Sequence, residues 1–245
     1  MIRFDKVDDP RRRLLIEALS AGLISAGLPG GKALAQGAFG TRPARLPAGQ
    51  SIYRIAGIAS VNGTAATLQT PVRPGDTVET GKDSEMVFVV GGHSMIVRGE
   101  TRLVIESESK ESASLLISGL RLLTGMLLSV SRKSQMRVTT TTATIGIRGT
   151  GWYAESDPEQ TYFCTCYGVA EIAASNDPGS RETVVAKFHD RPLYILGKSA
   201  TGGAIRNAPF INHTDQELML IETLVGRTPP FVFPKGDYTG PRRDY

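Results

Sequence analysis

The spacing of turn-forming residues is the feature that most constrains how this chain folds. Turn-forming pairs such as Asn62-Gly63 and Gly91-Gly92 recur through the central half of the chain, and most of them are 8 to 15 residues apart. The runs between them are short and rich in Val, Ile, Thr and aromatic residues, which favour the pleated surface of a strand. This pattern predicts an all-β fold, a compact sandwich or barrel-like stack of short strands.

One leucine-rich segment, residues 113–131, is ambiguous within this pattern. Its leucines fit either a buried helix or buried strands. Gly119 and Gly125 interrupt the run at a spacing of six residues. Because an isolated glycine in a strand often marks a bend, the segment is predicted to form two bent strands.

The C-terminal part contains the one segment with clear helical signals. Thr214 and Glu217 have the spacing of a capping box, in which each residue bonds the backbone N–H of the other. Gly226 follows the last apolar residue of the pattern, as a helix-terminating glycine does. The sequence therefore predicts one α-helix at about residues 214–225.

The N-terminal segment has the order of an export signal. Three arginines at 11–13 precede an apolar stretch, Leu14–Leu28, and Ala33-Leu34-Ala35 offers a small-residue cleavage site. The stretch is shorter than the roughly 20 residues that a membrane span needs. It resembles a twin-arginine signal, so the mature protein is predicted to be periplasmic with no permanent membrane span. An amphipathic helix of the domain and an uncleaved anchor are the alternatives.

The predicted organisation follows from these signals and from the distribution of Gly, Pro and charge. The first 35 residues hold 6 of the 28 basic and 4 of the 24 acidic residues, so the mature chain has a net charge of only +2. This charge is too small to indicate a nucleic-acid-binding protein. The predicted units are a signal peptide at 1–35, a flexible leader at 36–50, a β-domain at 51–172, a C-terminal extension at 173–230 that packs on it, and a mobile tail at 231–245.

The glycine-rich stretch "TATIGIRGTGWYAE" does not have the order of a phosphate-binding loop. A dinucleotide loop has the pattern G-x-G-x-x-G between a strand and a helix, and a P-loop has a lysine after its last glycine. Here Trp152 begins a strand-like run, and the glycines are better explained by backbone geometry. Arg148 either binds backbone carbonyls or faces a partner. Arg148, Gly149 and Thr150 are therefore the candidate partner-binding residues.

Several stretches together resemble the FecR domain, a module named for a periplasmic regulator of iron-citrate uptake. They are "RPGDTVETGKDSEMVFVV", "VRGETRLVIE", "GLRLLTGMLLSVS", "TATIGIRGTGWYAE" and "YGVAEI", within Ile52–Ile172. The most specific part is T-x-T-x-G-x-R-G-T, formed by Thr142, Thr144, Gly146, Arg148, Gly149 and Thr150. The resemblance implies an exported β-rich module that binds another protein or a cell-envelope component, without catalysis.

The sequence departs from the full regulator at its N-terminus. Such regulators carry a cytoplasmic segment that controls a sigma factor, followed by a membrane helix. Only ten residues precede the arginines here. We therefore expect a free-standing binding module rather than a transmembrane signalling protein.

The two cysteines and the histidines leave three interpretations open. Cys164 and Cys166 are two residues apart on a predicted strand, so they face the same side with Cα atoms roughly 6.5 to 7 Å apart. They form inert buried thiols, a strained redox pair, or half of a zinc or copper site completed by His189 and His213. Structural-zinc cysteines are usually separated by at least two residues. Inert packing is the expectation, with no metal ligand assigned.

No catalytic motif accompanies these residues. The sequence contains no G-x-S-x-G elbow, no H-E-x-x-H and no carboxylate pair that stands out from the charged run at 106–112. We therefore predict a non-enzymatic protein without a cofactor, an interaction or regulatory module of the bacterial envelope. The alternative is a periplasmic metal-binding or redox protein that uses Cys164, Cys166, His189 and His213.

Overall fold

A computed structural model describes residues 45–107, 116–131, 135–200, 203–228 and 230. The predicted signal peptide, most of the predicted leader and the predicted tail lie outside these residues. The described residues form fourteen strands and one helix. Their bounds are β1 Ile52–Ala56, β2 Ala59–Val61, β3 Thr64–Ala65, β4 Thr77–Thr80, β5 Glu85–Val90, β6 His93–Val97, β7 Arg102–Ser107, β8 Ile117–Val130, β9 Gln135–Thr139, β10 Ala143–Ser156, β11 Gln160–Ala174, β12 Asp177–Ala186, β13 Leu193–Ala200, β14 Gly203–Asn207 and α1 Asp215–Leu224.

The strands belong to one hydrogen-bonded sheet. Its main path runs in the order β14-β13-β11-β10-β9-β8-β7-β4-β2-β3, with β12 paired to β11 and β1-β5-β6 joined to β8. All of these pairings are antiparallel except that of β8 with β9, which is parallel from Gly119 and Arg137 onward. The prediction of an all-β fold with one C-terminal helix is confirmed.

The leucine-rich segment is one long strand, β8, so the prediction of two strands is wrong. Gly125 marks the place where β8 changes partners: residues 117–124 pair with β7, and residues 125–130 pair with β10. Gly125 has a φ of +85°, a conformation that only glycine adopts easily. The glycine therefore bends a continuous strand instead of separating two.

The C-terminal extension continues the sheet of the β-domain. The predicted boundary at residue 172 falls inside β11, whose residues up to Ala174 pair with β10. On its other edge β11 pairs with β12 and β13, both from the extension. The extension thus supplies three further strands as well as α1.

Side chains on the two faces of the sheet form two cores. The larger core contains Trp152 and Phe163, whose rings stack with centroids 5.7 Å apart. The smaller core lies under α1, where Leu218 and Ile221 pack among residues of β5, β6, β8, β10 and β11. Strand residues alternate between the faces, so β11 contributes to both cores.

The ends of α1 follow local sequence signals. The Thr214 hydroxyl accepts a hydrogen bond from the N–H of Glu217, and the Glu217 carboxylate accepts one from the N–H of Thr214. Gly226, with a φ of +76°, follows the helix. The predicted capping box and helix are therefore confirmed. Among the described residues, no helix is long and apolar enough to cross a membrane.

His93 on β6 should make folding sensitive to mild acid. Burial, together with the nearby charge of Arg227, lowers its pKa from 6.5 to about 4. The folded protein therefore binds this proton less readily than the unfolded chain, so the stabilisation is present above pH 6.5 and is lost as the pH falls toward 4. Between about pH 7.5 and pH 5 we expect a loss of about 2 kcal/mol in the free energy of unfolding from this group.

Urea denaturation at the two pH values, with wild type and His93→Gln, measures this contribution. The glutamine does not titrate, so the variant should lose about 2 kcal/mol less than wild type between the two pH values. Equal losses in both proteins would contradict the prediction. The other two histidines are present in both proteins and cancel in the comparison.

Candidate functional site

Strand β11 places both cysteines on the face that α1 covers. Cys164 and Cys166 belong to the smaller core, whereas Phe163 between Tyr162 and Cys164 belongs to the larger one. This arrangement follows from the two-residue period of a strand. Both cysteines are fully buried free thiols.

His189 reaches the cysteines from the turn after β12. Its backbone has a φ of +49°, and its N–H donates a hydrogen bond of 2.9 Å to the carbonyl of Cys166. The carboxylate of Asp190 stabilises the turn by accepting hydrogen bonds from the N–H groups of Lys187 and Phe188. The turn therefore fixes the position of the His189 ring at the edge of the smaller core.

His213 reaches the same point from the opposite direction, just before the N-cap of α1. Its ring is fully buried and lies against the ring of Tyr153, with centroids 4.5 Å apart. The Phe210 ring contacts both histidine rings, with centroids 4.4 Å from His189 and 4.5 Å from His213. Aromatic side chains therefore enclose the two imidazoles.

The structure brings together the four residues of the metal or redox alternative. One atom from each of Cys164, Cys166, His189 and His213 lies within 4.8 Å of the corresponding atom of every other member. The His189 Nδ1 atom is 3.6 Å from Cys164 Sγ and 3.3 Å from His213 Nε2. The His213 Nε2 atom is 3.5 Å from Cys166 Sγ. We call these four residues the Cys/His cluster.

The other nitrogen of each histidine has a hydrogen-bond partner outside the cluster. His189 Nε2 is 2.8 Å from the carboxylate of Asp215, the first residue of α1. His213 Nδ1 is 2.7 Å from the carbonyl oxygen of Ile211. Because a carboxylate and a carbonyl only accept, each of these nitrogens carries a proton. His189 Nδ1 and His213 Nε2 are then the atoms that face the cluster.

Shifted pKa values in the cluster favour the thiolate form of Cys164 and the protonated form of His189. Burial opposes ionisation of Cys164, but hydrogen bonding from Cys166 and interactions with His213 and His189 lower the pKa of its thiol. Burial and the neighbouring Cys164 thiolate raise the pKa of Cys166. Burial disfavours the charged form of His189, yet its hydrogen bonds to Asp215 and Cys164 raise its pKa to about 9. These shifts favour an ion pair between the Cys164 thiolate and the His189 imidazolium.

The predicted partner-binding residues lie elsewhere, on β10. The Arg148 side chain is 57% exposed and forms an ion pair of 2.8 Å with Glu171 on β11. Gly149 has a φ of +57° and lies where the register between β10 and β11 shifts. Thr150 is completely buried. Of the three, Arg148 therefore presents its side chain to solvent.

The stretch around Arg148 forms the interior of a strand that is paired on both sides. Thr144 to Arg148 pair with β9 and with β11, so no helix begins at these glycines. The segment therefore does not have the strand-to-helix geometry of a dinucleotide loop or a P-loop. A shallow open pocket of about 260 Å³ lies over it, lined by Gln135, Met136, Arg137, Gly146, Ile147, Arg148 and Glu171.

Two residues near the cluster, Asp215 and Arg98, make contacts that the sequence did not predict. Asp215, which bonds His189, lies two residues after His213, within the predicted helix, and no sequence pattern links it to the histidines. Arg98 on the loop after β6 forms a buried ion pair of 2.6 Å with Glu217. The capping box identified Glu217, but no local pattern indicates a partner 119 residues away.

Comparison with known proteins finds similarity to solved structures but not to characterised sequences. No protein-family model and no curated protein matches the sequence. Two crystal structures from Parabacteroides distasonis ATCC 8503, each described as a "putative anti-sigma factor", are similar in structure, with a TM-score of 0.42 and 11% and 12% identity. In both cases the similarity covers 54% of this chain and 58% of the other. The similarity thus spans little more than half the length of these structures.

Proposed function

We propose that this chain is an exported, non-catalytic β-domain that acts as an interaction or regulatory module of the bacterial envelope. Its surface around Arg148 binds a protein or an envelope component. The proposal rests above all on how β10 presents the segment that resembles the FecR domain. Thr144 and Arg148 face solvent, while Ile145 and Ile147 between them are buried in the larger core.

The side chains across the neighbouring strands make this surface suitable for polar recognition. Gly146 pairs with Arg137 on β9 and with Glu171 on β11. The missing side chain at Gly146 leaves a hollow between these two charged residues, beside Arg148. Arginine binds carboxylates in a bidentate manner, so the hollow favours a partner with an exposed acidic or amide group.

The ion pair with Glu171 contributes little to stability, so it does not by itself explain the arginine at position 148. Both Arg148 and Glu171 are more than half exposed, and such pairs contribute only about 0 to 1 kcal/mol to stability. The Arg148 side chain belongs to neither of the two cores. Its exposed position next to the hollow is therefore better explained by contact with a partner.

Photo-crosslinking in the native host tests the proposal. A photoreactive amino acid at Arg148 should give a discrete adduct, while the same residue at Ile58, which is 76% exposed on another part of the surface, should not. The absence of an adduct at 148, or the same adducts from both positions, would contradict the proposal.

N-terminal sequencing of the protein from the same cells tests the export part of the proposal. We expect the mature chain to begin at Gln36 or a close neighbour and to be found in the periplasmic fraction. An uncut, membrane-extracted chain would contradict the export part.

A blocking variant separates loss of binding from loss of folding. A Cβ atom at position 146 would lie 3.9 Å from its nearest neighbour, Glu171 Cβ, so the backbone tolerates a side chain there. We expect Gly146→Gln to fill the hollow, to leave the free energy of unfolding within about 0.5 kcal/mol of wild type, and to suppress the adduct at position 148. A persistent adduct would show that the hollow at Gly146 is not part of the binding surface.

A further inference from the structure

We propose that the Cys/His cluster binds one Zn²⁺ ion, which fixes the start of α1 to the sheet. This inference is independent of partner binding at Arg148, because the cluster is buried in the smaller core under α1. Cys164 and Cys166 would coordinate as thiolates through Sγ. His189 would coordinate through Nδ1 and His213 through Nε2.

Three of the six distances between the ligand atoms of the cluster match the edges of a zinc tetrahedron. With Zn–S bonds of about 2.3 Å and Zn–N bonds of about 2.05 Å, tetrahedral geometry places S and N about 3.6 Å apart and two N atoms about 3.3 Å apart. Of the four sulfur–nitrogen pairs, Cys164 Sγ with His189 Nδ1 and Cys166 Sγ with His213 Nε2 are 3.6 Å and 3.5 Å apart, and every pair of ligand atoms lies within 4.8 Å. The nitrogen–nitrogen distance is 3.3 Å. All three distances agree with the expected edges.

The hydrogen bonds outside the cluster orient both imidazoles as ligands. Asp215 and the Ile211 carbonyl accept from the outer nitrogens, so His189 Nδ1 and His213 Nε2, 3.3 Å apart, are the nitrogens left to coordinate an ion once His189 Nδ1 gives up its proton. An ion that replaces this proton would accept the lone pairs of both nitrogens. The carboxylate–histidine contact is also the arrangement that orients histidine ligands in zinc proteins.

The charge balance favours Zn²⁺ over Cu⁺. Two thiolates and two neutral imidazoles carry a charge of −2, which Zn²⁺ neutralises and Cu⁺ does not. The cluster is buried, and the carboxylate of Asp215 beside it is fully buried as well. An uncompensated negative charge is costly in such a place. Four protein ligands also leave no open position, as in structural rather than catalytic zinc sites.

The short cysteine spacing agrees with the secondary structure. Structural-zinc cysteines are often separated by two residues or more because they lie in turns. Cys164 and Cys166 lie on a strand, where alternate residues point to the same face. Both sulfur atoms can then reach one ion from adjacent positions of that face. The one-residue spacing is thus a consequence of the strand.

The four ligands join three segments that are distant in sequence. They come from β11, from the turn after β12 and from the residue before the N-cap of α1. Binding of one ion would restrain these segments relative to one another. We therefore expect zinc to protect α1 from local unfolding, and chelation to expose it.

Metal analysis of the full chain, purified from the native host under reducing conditions, tests the proposal. We expect one zinc per chain, and we expect Co²⁺ substitution to give the visible absorption of a tetrahedral site with sulfur-to-metal charge transfer. Folded wild type that holds no zinc and gives no such cobalt spectrum would overturn the proposal. Stoichiometric copper that zinc does not replace would overturn the choice of metal.

Substitutions on β11 provide the matched comparison. The double variant Cys164→Ser/Cys166→Ser should retain no zinc. Thr165 lies between the cysteines, and its buried hydroxyl has no hydrogen-bond partner among the described residues, so Thr165→Val should fold and keep one zinc per chain. Retention of zinc by the double variant would overturn the proposal. The cobalt spectrum of wild type remains decisive if the double variant does not fold.

Asp215 serves as a positioning residue for the site. Asp215→Asn removes the charge that faces His189 but leaves all four ligands in place. Loss of such a contact typically weakens metal binding by about 10- to 100-fold. We expect this loss in a competition titration with a chelator, with an unchanged cobalt spectrum. An unchanged affinity would contradict the role of Asp215.

Discussion

Replacement of Arg98 by methionine is expected to lower the free energy of unfolding by about 3 to 5 kcal/mol and to release α1 from the sheet. Arg98 donates a hydrogen bond of 2.6 Å to the carboxylate of Glu217 and another of 2.6 Å to the carbonyl of Asn212. Its guanidinium also lies over the ring of Tyr153, 5.4 Å from the centroid. One side chain therefore connects the sheet to the start of the helix.

The large effect is expected because the Glu217 carboxylate stays buried after Arg98 is replaced. Glu217 is almost completely buried, with a side-chain exposure of 1%. Methionine retains much of the apolar contact area of Arg98 but removes the guanidinium that pairs with the Glu217 carboxylate. The capping-box hydrogen bonds to Thr214 remain, but they do not neutralise the charge. Removal of one partner of a buried pair costs more than the pair itself contributes.

An exposed ion pair supplies the control for this prediction. Arg121 and Glu106 are 2.7 Å apart, close to the 2.6 Å between Arg98 and Glu217, but the Arg121 side chain is 51% exposed. Arg121→Met should therefore cost at most about 1 kcal/mol. Urea denaturation measures both free energies, and hydrogen exchange of the α1 amides shows whether the helix is released. Equal costs for the two variants would contradict the argument from burial.

Features of the fold that depend on neighbouring residues could be predicted from the sequence. The capping box of Thr214 and Glu217 with Gly226 located α1 to within about one residue. The glycine pair Gly91-Gly92, interpreted as a turn, joins β5 to β6. In both cases the contacts span few positions, so the local pattern contains most of the information.

Strand β8 shows where local patterns are insufficient. Its two halves pair with different strands, and the glycine between them bends the chain without ending it. The residues that decide this continuity lie on β7 and β10, far from Gly125 in sequence. A glycine that bends a strand and one that ends it leave the same sequence pattern.

The Cys/His cluster could be predicted in composition but not in geometry. Chemistry alone identified Cys164, Cys166, His189 and His213 as possible ligands, because thiolate and imidazole suit the same metals. Their convergence depends on contacts between residues 25 and 47 positions apart. The position of the turn after β12 and the docking of α1 are tertiary properties, and no periodicity in the sequence specifies them.

Substitution of Gly125 by alanine is expected to lower the free energy of unfolding by about 3 kcal/mol or more. Two causes contribute. The φ of +85° is strained for any residue with a Cβ atom. A Cβ atom at this position would also lie 2.7 Å from the backbone nitrogen of Thr101 and closer still to its Cα and Oγ1. The clash involves backbone atoms, so a change of rotamer cannot relieve it.

Gly63 separates the strain from the clash. Its φ of +76° is similar, but a Cβ atom there would have no neighbour within 4 Å. Gly63→Ala should therefore cost only the strain of the left-handed conformation, about 1 to 2 kcal/mol. Thr101 holds its place by hydrogen bonds of its hydroxyl to both the N–H and the carbonyl of Met126, so it cannot move away without breaking them. If urea denaturation gives equal costs for the two alanine variants, close approach to Thr101 is not the reason for glycine at the bend of β8.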